Sequence, residues 1–164
     1  MTDKEIKKDE NPHRDKEREN FNQVVGDIKD PILLILRIHL YTEHLLERII
    51  SCKLPRGDRH LNGSNISYNQ KLSLVSAFDY IPDEIITALK QLNRVRNQCV
   101  HELHKEITIS EIDRIGRPFG AKYTKICREN VGNNFSTMFD TFVLMCAGIA
   151  AFTHRAEEEA HNSQ

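Results

Sequence analysis

Three side chains in the second half of the chain could handle protons and phosphate together: Arg96, Asn97 and His101. Arginine is a fixed cation whose planar fork suits phosphate. Histidine can give or take a proton near pH 7. An amide one helical turn before the imidazole could orient the ring or a phosphate oxygen. The set suits phosphodiester cleavage. It needs no metal or other cofactor if the substrate brings its own nucleophile, as the 2′-hydroxyl of RNA does. His101 would act as general base or acid, and Arg96 would stabilise charge growing on a phosphorane-like transition state. Asn93 and His104 stand near enough to support them. A plainer reading stands beside this one. A histidine near a helix C-terminus often just complements the dipole, and an arginine can snorkel. Arg37/His44 and Arg155/His161 recur at comparable spacing.

The segment that must position these groups is PDEIITALKQLNRVRNQCVHELHKEI. Pro82 opens it, and Asp83 and Glu84 in its first turn suit the macrodipole. On an ideal helix Arg96 falls in the middle of an apolar stripe formed by Ile85, Leu89, Leu92, Cys99 and Leu103. A charge placed there demands a partner, a water-filled cleft or a second protein surface. Asn93, Asn97, His101 and His104 line a polar flank. Arg96 and His101 diverge by about 140°, too far to act as a tight pair within one chain.

Other elements surround that helix. Asp30 can cap a long helix with Pro31 at its first position, followed by Ile32, Ile35, Leu36, Ile38, Leu40, Leu45, Leu46, Ile49 and Ile50 at helical spacing. PRGDRHLNGSN reads as a loop, residues 68–80 as a shorter helix, and Ser110–Asp113 as a capping box with Asp in place of Glu. Arg117-Pro118-Phe119-Gly120 breaks that short helix, and a last helix runs from about Asn134 to Arg155. The expected fold is all-α, an antiparallel helical bundle of four to five helices. Residues 1–20 hold six basic and seven acidic side chains and almost no apolar ones, so they read as a disordered or frayed segment. Residues 21–155 form the helical domain and 156–164 an acidic tail.

With 164 residues there is room for one domain. A net charge of −1 excludes a simple polycationic nucleic-acid coat but not a local basic patch. The stretches 53–71 and 111–128 are locally basic, and in the second Arg114, Arg117, Lys122 and Lys125 could line an RNA groove. Cys52, Cys99, Cys127 and Cys146 show no CxxC spacing and read as reduced thiols of a cytoplasmic protein. The N-terminus has no apolar core of a signal peptide. The longest apolar stretch, Thr141 to Phe152, falls short of the roughly 20 residues of a spanning helix. It reads as buried, with Met138, Phe139, Phe142, Met145 and Phe152 as core. His101-Glu-Leu-His104 is HxxH and lacks a second cluster of ligands, so no metal site is expected. Neither a phosphate loop nor a serine elbow is present.

The string Arg96-Asn97-Gln98-Cys99-Val100-His101 resembles the signature of the HEPN family: Arg, a polar residue, three more residues, then His. LNRVRNQCVHEL carries the likeness most strongly, and the order of helices from about Asp30 to Arg155 is similar to that of HEPN bundles. The resemblance implies a metal-independent endoribonuclease of toxin–antitoxin or phage-defence systems. It implies a homodimer in which motif helices of two protomers form one RNA-cutting cleft, and a cognate antitoxin or defence partner. By position Arg96 and His101 would be catalytic and Asn97 supporting. Toxins neutralised by nucleotidyl transfer carry Tyr two residues after the motif His; here that position is Leu103. A subgroup resembling the mannitol-operon-repressor family shares the bundle and regulates rather than cuts. The alternative expectation is therefore a non-catalytic binding module or transcriptional regulator.

Overall fold

The computed structural model describes residues 12–63, 65–102 and 104–163. The fold is all-helical, with no strand among these residues. In chain order the helices are α1 (Pro12–Val25), α2 (Pro31–Lys53), α3 (Gly57–Gly63), α4 (Tyr68–Ala77), α5 (Asp83–His101), α6 (Ile109–Gly116), α7 (Ala121–Glu129) and α8 (Asn134–Asn162). A 3₁₀ turn over Arg117–Phe119 joins α6 to α7.

Helix α2 is the central strut. Asp30 caps it by accepting from the Leu33 N–H at 2.7 Å, and Pro31 opens its first turn without losing a useful donor. Its apolar residues recur with helical period, and Leu34, Ile35, Ile38, Leu45, Leu46, Ile49 and Ile50 are all buried. Leu89 and Leu92 of α5, Leu72 and Val75 of α4, and Met138, Phe142, Met145 and Ile149 of α8 close the core around it. Phe139 and Phe152 pack at its margin, as expected of a core stripe.

Pairs across α2, α4 and α5 give their directions. Tyr68 stacks on His39 while Lys71, one turn on, reaches Glu43 and Glu47, so α4 runs parallel to α2. Residues 78–82 then reverse the chain, and α5 returns antiparallel to both, with Asn93 meeting His39 and Asn69.

Four boundaries differ from the sequence reading. Residues 12–25 are helical and docked rather than solvated: Phe21 packs edge-on against Tyr41, and Glu17 accepts from Tyr41 and Arg48. Residues 1–11 lie outside the described part. The expected loop after α2 contains α3, because Gly57 lets the backbone close on the last turn of α2; a Cβ there would sit 2.4 Å from the Ile50 carbonyl oxygen. The capping box of α6 is Thr108 with Glu111, not Ser110 with Asp113; Glu111 also pairs with Lys105 and is buried. α5 ends at His101, where Glu102 turns to extended backbone and its N–H bonds the Gln98 carbonyl. The acidic tail continues α8 to Asn162, with Glu157 and Glu159 paired to Arg48 and Lys53.

At 29 residues α8 extends on both sides of the Thr141–Phe152 run, from an Asn133 cap whose side chain accepts from the Ser136 N–H to a charged end tied down by Glu157 and Glu159. By length and composition it could cross a bilayer, with a mean hydropathy of 1.6 over 18 residues, 39% of them buried inside the fold. The core helix of a soluble protein passes the same test, and α8 packs along α2.

Candidate functional site

Helix α5 presents two kinds of surface. Ile85, Ile86, Ala88, Leu89, Leu92 and Val95 are buried. A polar flank starts at the edge of that face with the buried Asn93 and continues outward at helical spacing through Asn97 and His101, with Lys90 and Arg94 beside them. These five side chains line one open cleft of about 390 Å³. Asn69 faces them from the first turn of α4, and Gln98 and Glu102 complete the lining. Asn69 stands there because Ser67 and Gln70 form a capping box that starts α4 at Tyr68.

Asn93 is buried at the floor, and both ends of its amide are used. Its Oδ1 accepts from His39 Nε2 at 2.9 Å, and its Nδ2 donates to Asn69 Oδ1 at 2.8 Å. The His39 ring is 4% exposed and lies 4.1 Å from the Tyr68 ring in a stacked arrangement. The Tyr68 hydroxyl meets Thr42 Oγ1 at 3.0 Å, and Thr42 donates to the His39 carbonyl. Burial pushes the His39 pKa below its ordinary value. The bond to Asn93 opposes this, Arg96 and Lys71 add to it, and Glu43 works against it.

The residues singled out from the sequence divide. Asn93, Asn97 and His101 share the cleft. Arg96 does not line it. It is half-buried, as its place on the apolar stripe required, and it lies close enough to His39 to affect its titration. Its Nη1 donates to Asn97 Oδ1 at 3.1 Å, and it pairs with no carboxylate among the described residues. His104 is exposed beyond the end of α5 and outside the cleft. Leu103, the position where a modified Tyr would stand, lies outside the described residues. Arg114, Arg117, Lys122 and Lys125 are exposed on α6, the 3₁₀ turn and α7, and none lines the cleft. Arg117 faces Asp113 at 3.5 Å and Lys125 faces Glu129 at 3.6 Å. The cations at the cleft are instead Lys90 and Arg94.

Sequence reasoning missed Lys90, Arg94, Asn69 and His39. Lys90 falls two turns before Asn97 and Arg94 two turns before His101, so the same periodicity reaches them. His39 gave the signal that Arg96 gave, a polar ring among Ile35, Ile38 and Thr42 on a buried face that must find a partner.

Chemically, the cleft offers a proton-transfer group at the exposed end of α5, two exposed cations, and amides that can bind phosphate oxygens or base edges. The sequence matches no family model, and no curated protein and no solved structure is significantly similar to it.

Proposed function

We propose that the protein is a metal-independent, cytoplasmic endoribonuclease of HEPN type, acting as a homodimeric toxin or phage-defence component. The observation that carries this reading is the meeting of Asn93, Asn97 and His101 with Lys90 and Arg94 in one open cleft at the end of α5. His101 takes the proton of a ribose 2′-hydroxyl, and the oxygen attacks the adjacent phosphorus. The bond to the 5′-oxygen breaks, and that oxygen leaves with a proton from a second acid. The products are a 2′,3′-cyclic phosphate and a 5′-hydroxyl. Lys90 and Arg94 hold the strand, and the Asn97 amide, steadied by Arg96, orients the phosphate or the ring. The second acid and a closer cation come from a second copy, whose α5 brings its own Arg96 and His101. Val100, exposed on α5 beside His101, and Leu33 and Leu40, exposed on the neighbouring α2, favour such a contact.

One observation favours a non-catalytic binding module or regulator with the same bundle. Arg96 stands outside the cleft, and its guanidinium donates to the neighbouring Asn97 amide rather than facing open space. Induced expression separates the two readings. The nuclease slows growth and degrades cellular RNA, and Arg96→Ala or His101→Ala each relieves this, with cleavage in vitro reduced by about a hundredfold or more. Harmless wild-type protein with intact RNA would favour the binding module. Lost cleavage in chelator that Zn²⁺ or Mg²⁺ restores would refute the metal-independent mechanism.

A further inference from the structure

We infer that His39 is a positioning residue: through Asn93 it orients the amide of Asn69, so that the cleft wall offers an NH₂ donor to a phosphodiester oxygen. We assign His39 the tautomer with its proton on Nε2, because Asn93 Oδ1, which can only accept, lies 2.9 Å from that nitrogen; a neutral ring protonated on Nδ1 would instead accept from an overturned Asn93 amide. The Asn93 amide is thereby fixed with its nitrogen toward Asn69, where it donates to Oδ1 at 2.8 Å. Asn69 is exposed in the cleft lining, and with its oxygen engaged it keeps its nitrogen for a ligand. If Asn93 turned over, Asn69 would follow, and the wall would present a carbonyl oxygen that repels phosphate.

The ring itself has little freedom. It is buried, stacked on Tyr68, and its helix is pinned locally by Thr42, which bonds the His39 carbonyl and the Tyr68 hydroxyl. Protonation of the second ring nitrogen would leave the donor to Asn93 in place, so the polarity survives acid as long as the fold does. The relay thus links the core of α2 to a group at the surface of α4 through a side chain of α5. Its role toward RNA rests on the reading of the cleft given above; the orientation of the amides does not.

Two kinds of measurement test it on the full chain. Side-chain amide exchange by ¹⁵N NMR reads the relay without any substrate. In the wild type the slowly exchanging side-chain proton belongs to Asn93, and His39→Gln, whose amide also donates, keeps it. His39→Leu loses it. Asn93→Asp, which still accepts from His39 but cannot donate, moves the slow proton to the Asn69 amide and serves if His39→Leu does not fold. Cleavage of a synthetic oligoribonucleotide in chelator then reads the consequence: kcat/KM falls about tenfold to a hundredfold in His39→Leu and stays within about threefold in His39→Gln. Slow exchange unchanged in folded His39→Leu, or a slow proton still absent from Asn69 in Asn93→Asp, overturns the relay. A relay that behaves as expected while no variant, wild type included, cuts RNA overturns the nuclease reading instead.

Discussion

At the residue scale, His39 joins the core to the cleft, and its titration should register in stability. Burial disfavours its charged form, and Arg96 and Lys71 push the same way against Asn93 and Glu43. Its folded pKa is therefore below the ordinary 6.5 of the unfolded chain. The unfolded state binds the extra proton first. This contribution is complete above about pH 6.5 and is lost as pH falls toward the folded value, at up to about 1.4 kcal/mol per pH unit. Burial raises the folded pKa values of Glu17 and Glu111, but bonds to Tyr41 and Arg48 for the first and to Lys105 and Thr108 for the second outweigh it and leave both lowered, so their losses begin only below the ordinary 4.5. Urea midpoints at about pH 7.5 and 5.5 should fall in the wild type and fall less in His39→Gln. Equal falls in both would remove His39 as the group responsible.

At the scale of elements, one guanidinium ties three helices together. Arg48 of α2 donates to Glu17 of α1 at 2.9 Å and reaches both oxygens of Glu157 of α8 at 2.8 and 3.0 Å. Planar, forked donation of this kind holds carboxylates better than a point charge does. Arg48→Met should keep much of the aliphatic packing and lose the clamp. It should cost about 2 kcal/mol, tempered because the carboxylates can reach water. Chemical denaturation measures the cost. Backbone amide exchange across Pro12–Val25 should rise first, since α1 has Phe21, Val24 and Val25 as its main apolar anchors. Unchanged exchange in α1 would mean that the apolar anchors alone dock it.

For the whole molecule, the local signals and the long-range ones part company. α2 was legible because Asp30, Pro31 and an apolar run agree, and α8 because Met138, Phe142 and Met145 repeat at helical spacing. α1 was not, because its charged residues find their partners Arg48 and Tyr41 far along the chain, and Phe21, Val24 and Val25 are too few to announce a docked helix locally. α3 depends on Gly57 approaching the Ile50 carbonyl, which no local pattern reveals. The shared face of Asn93, Asn97 and His101 followed from periodicity alone, as did the half-burial of Arg96. Its separation from the cleft follows from the same 3.6-residue period, while Asn69 and His39 arrive through packing of α4 and α2. The account as a whole turns on His101 driving attack by the 2′-hydroxyl, and the chemistry of the cut ends tests that most directly. Purified wild-type protein incubated with total RNA and EDTA should leave 2′,3′-cyclic phosphate or its hydrolysis product and a 5′-hydroxyl, and His101→Ala should leave the RNA intact. Ends bearing a 3′-hydroxyl, or undiminished cutting by His101→Ala, would contradict it.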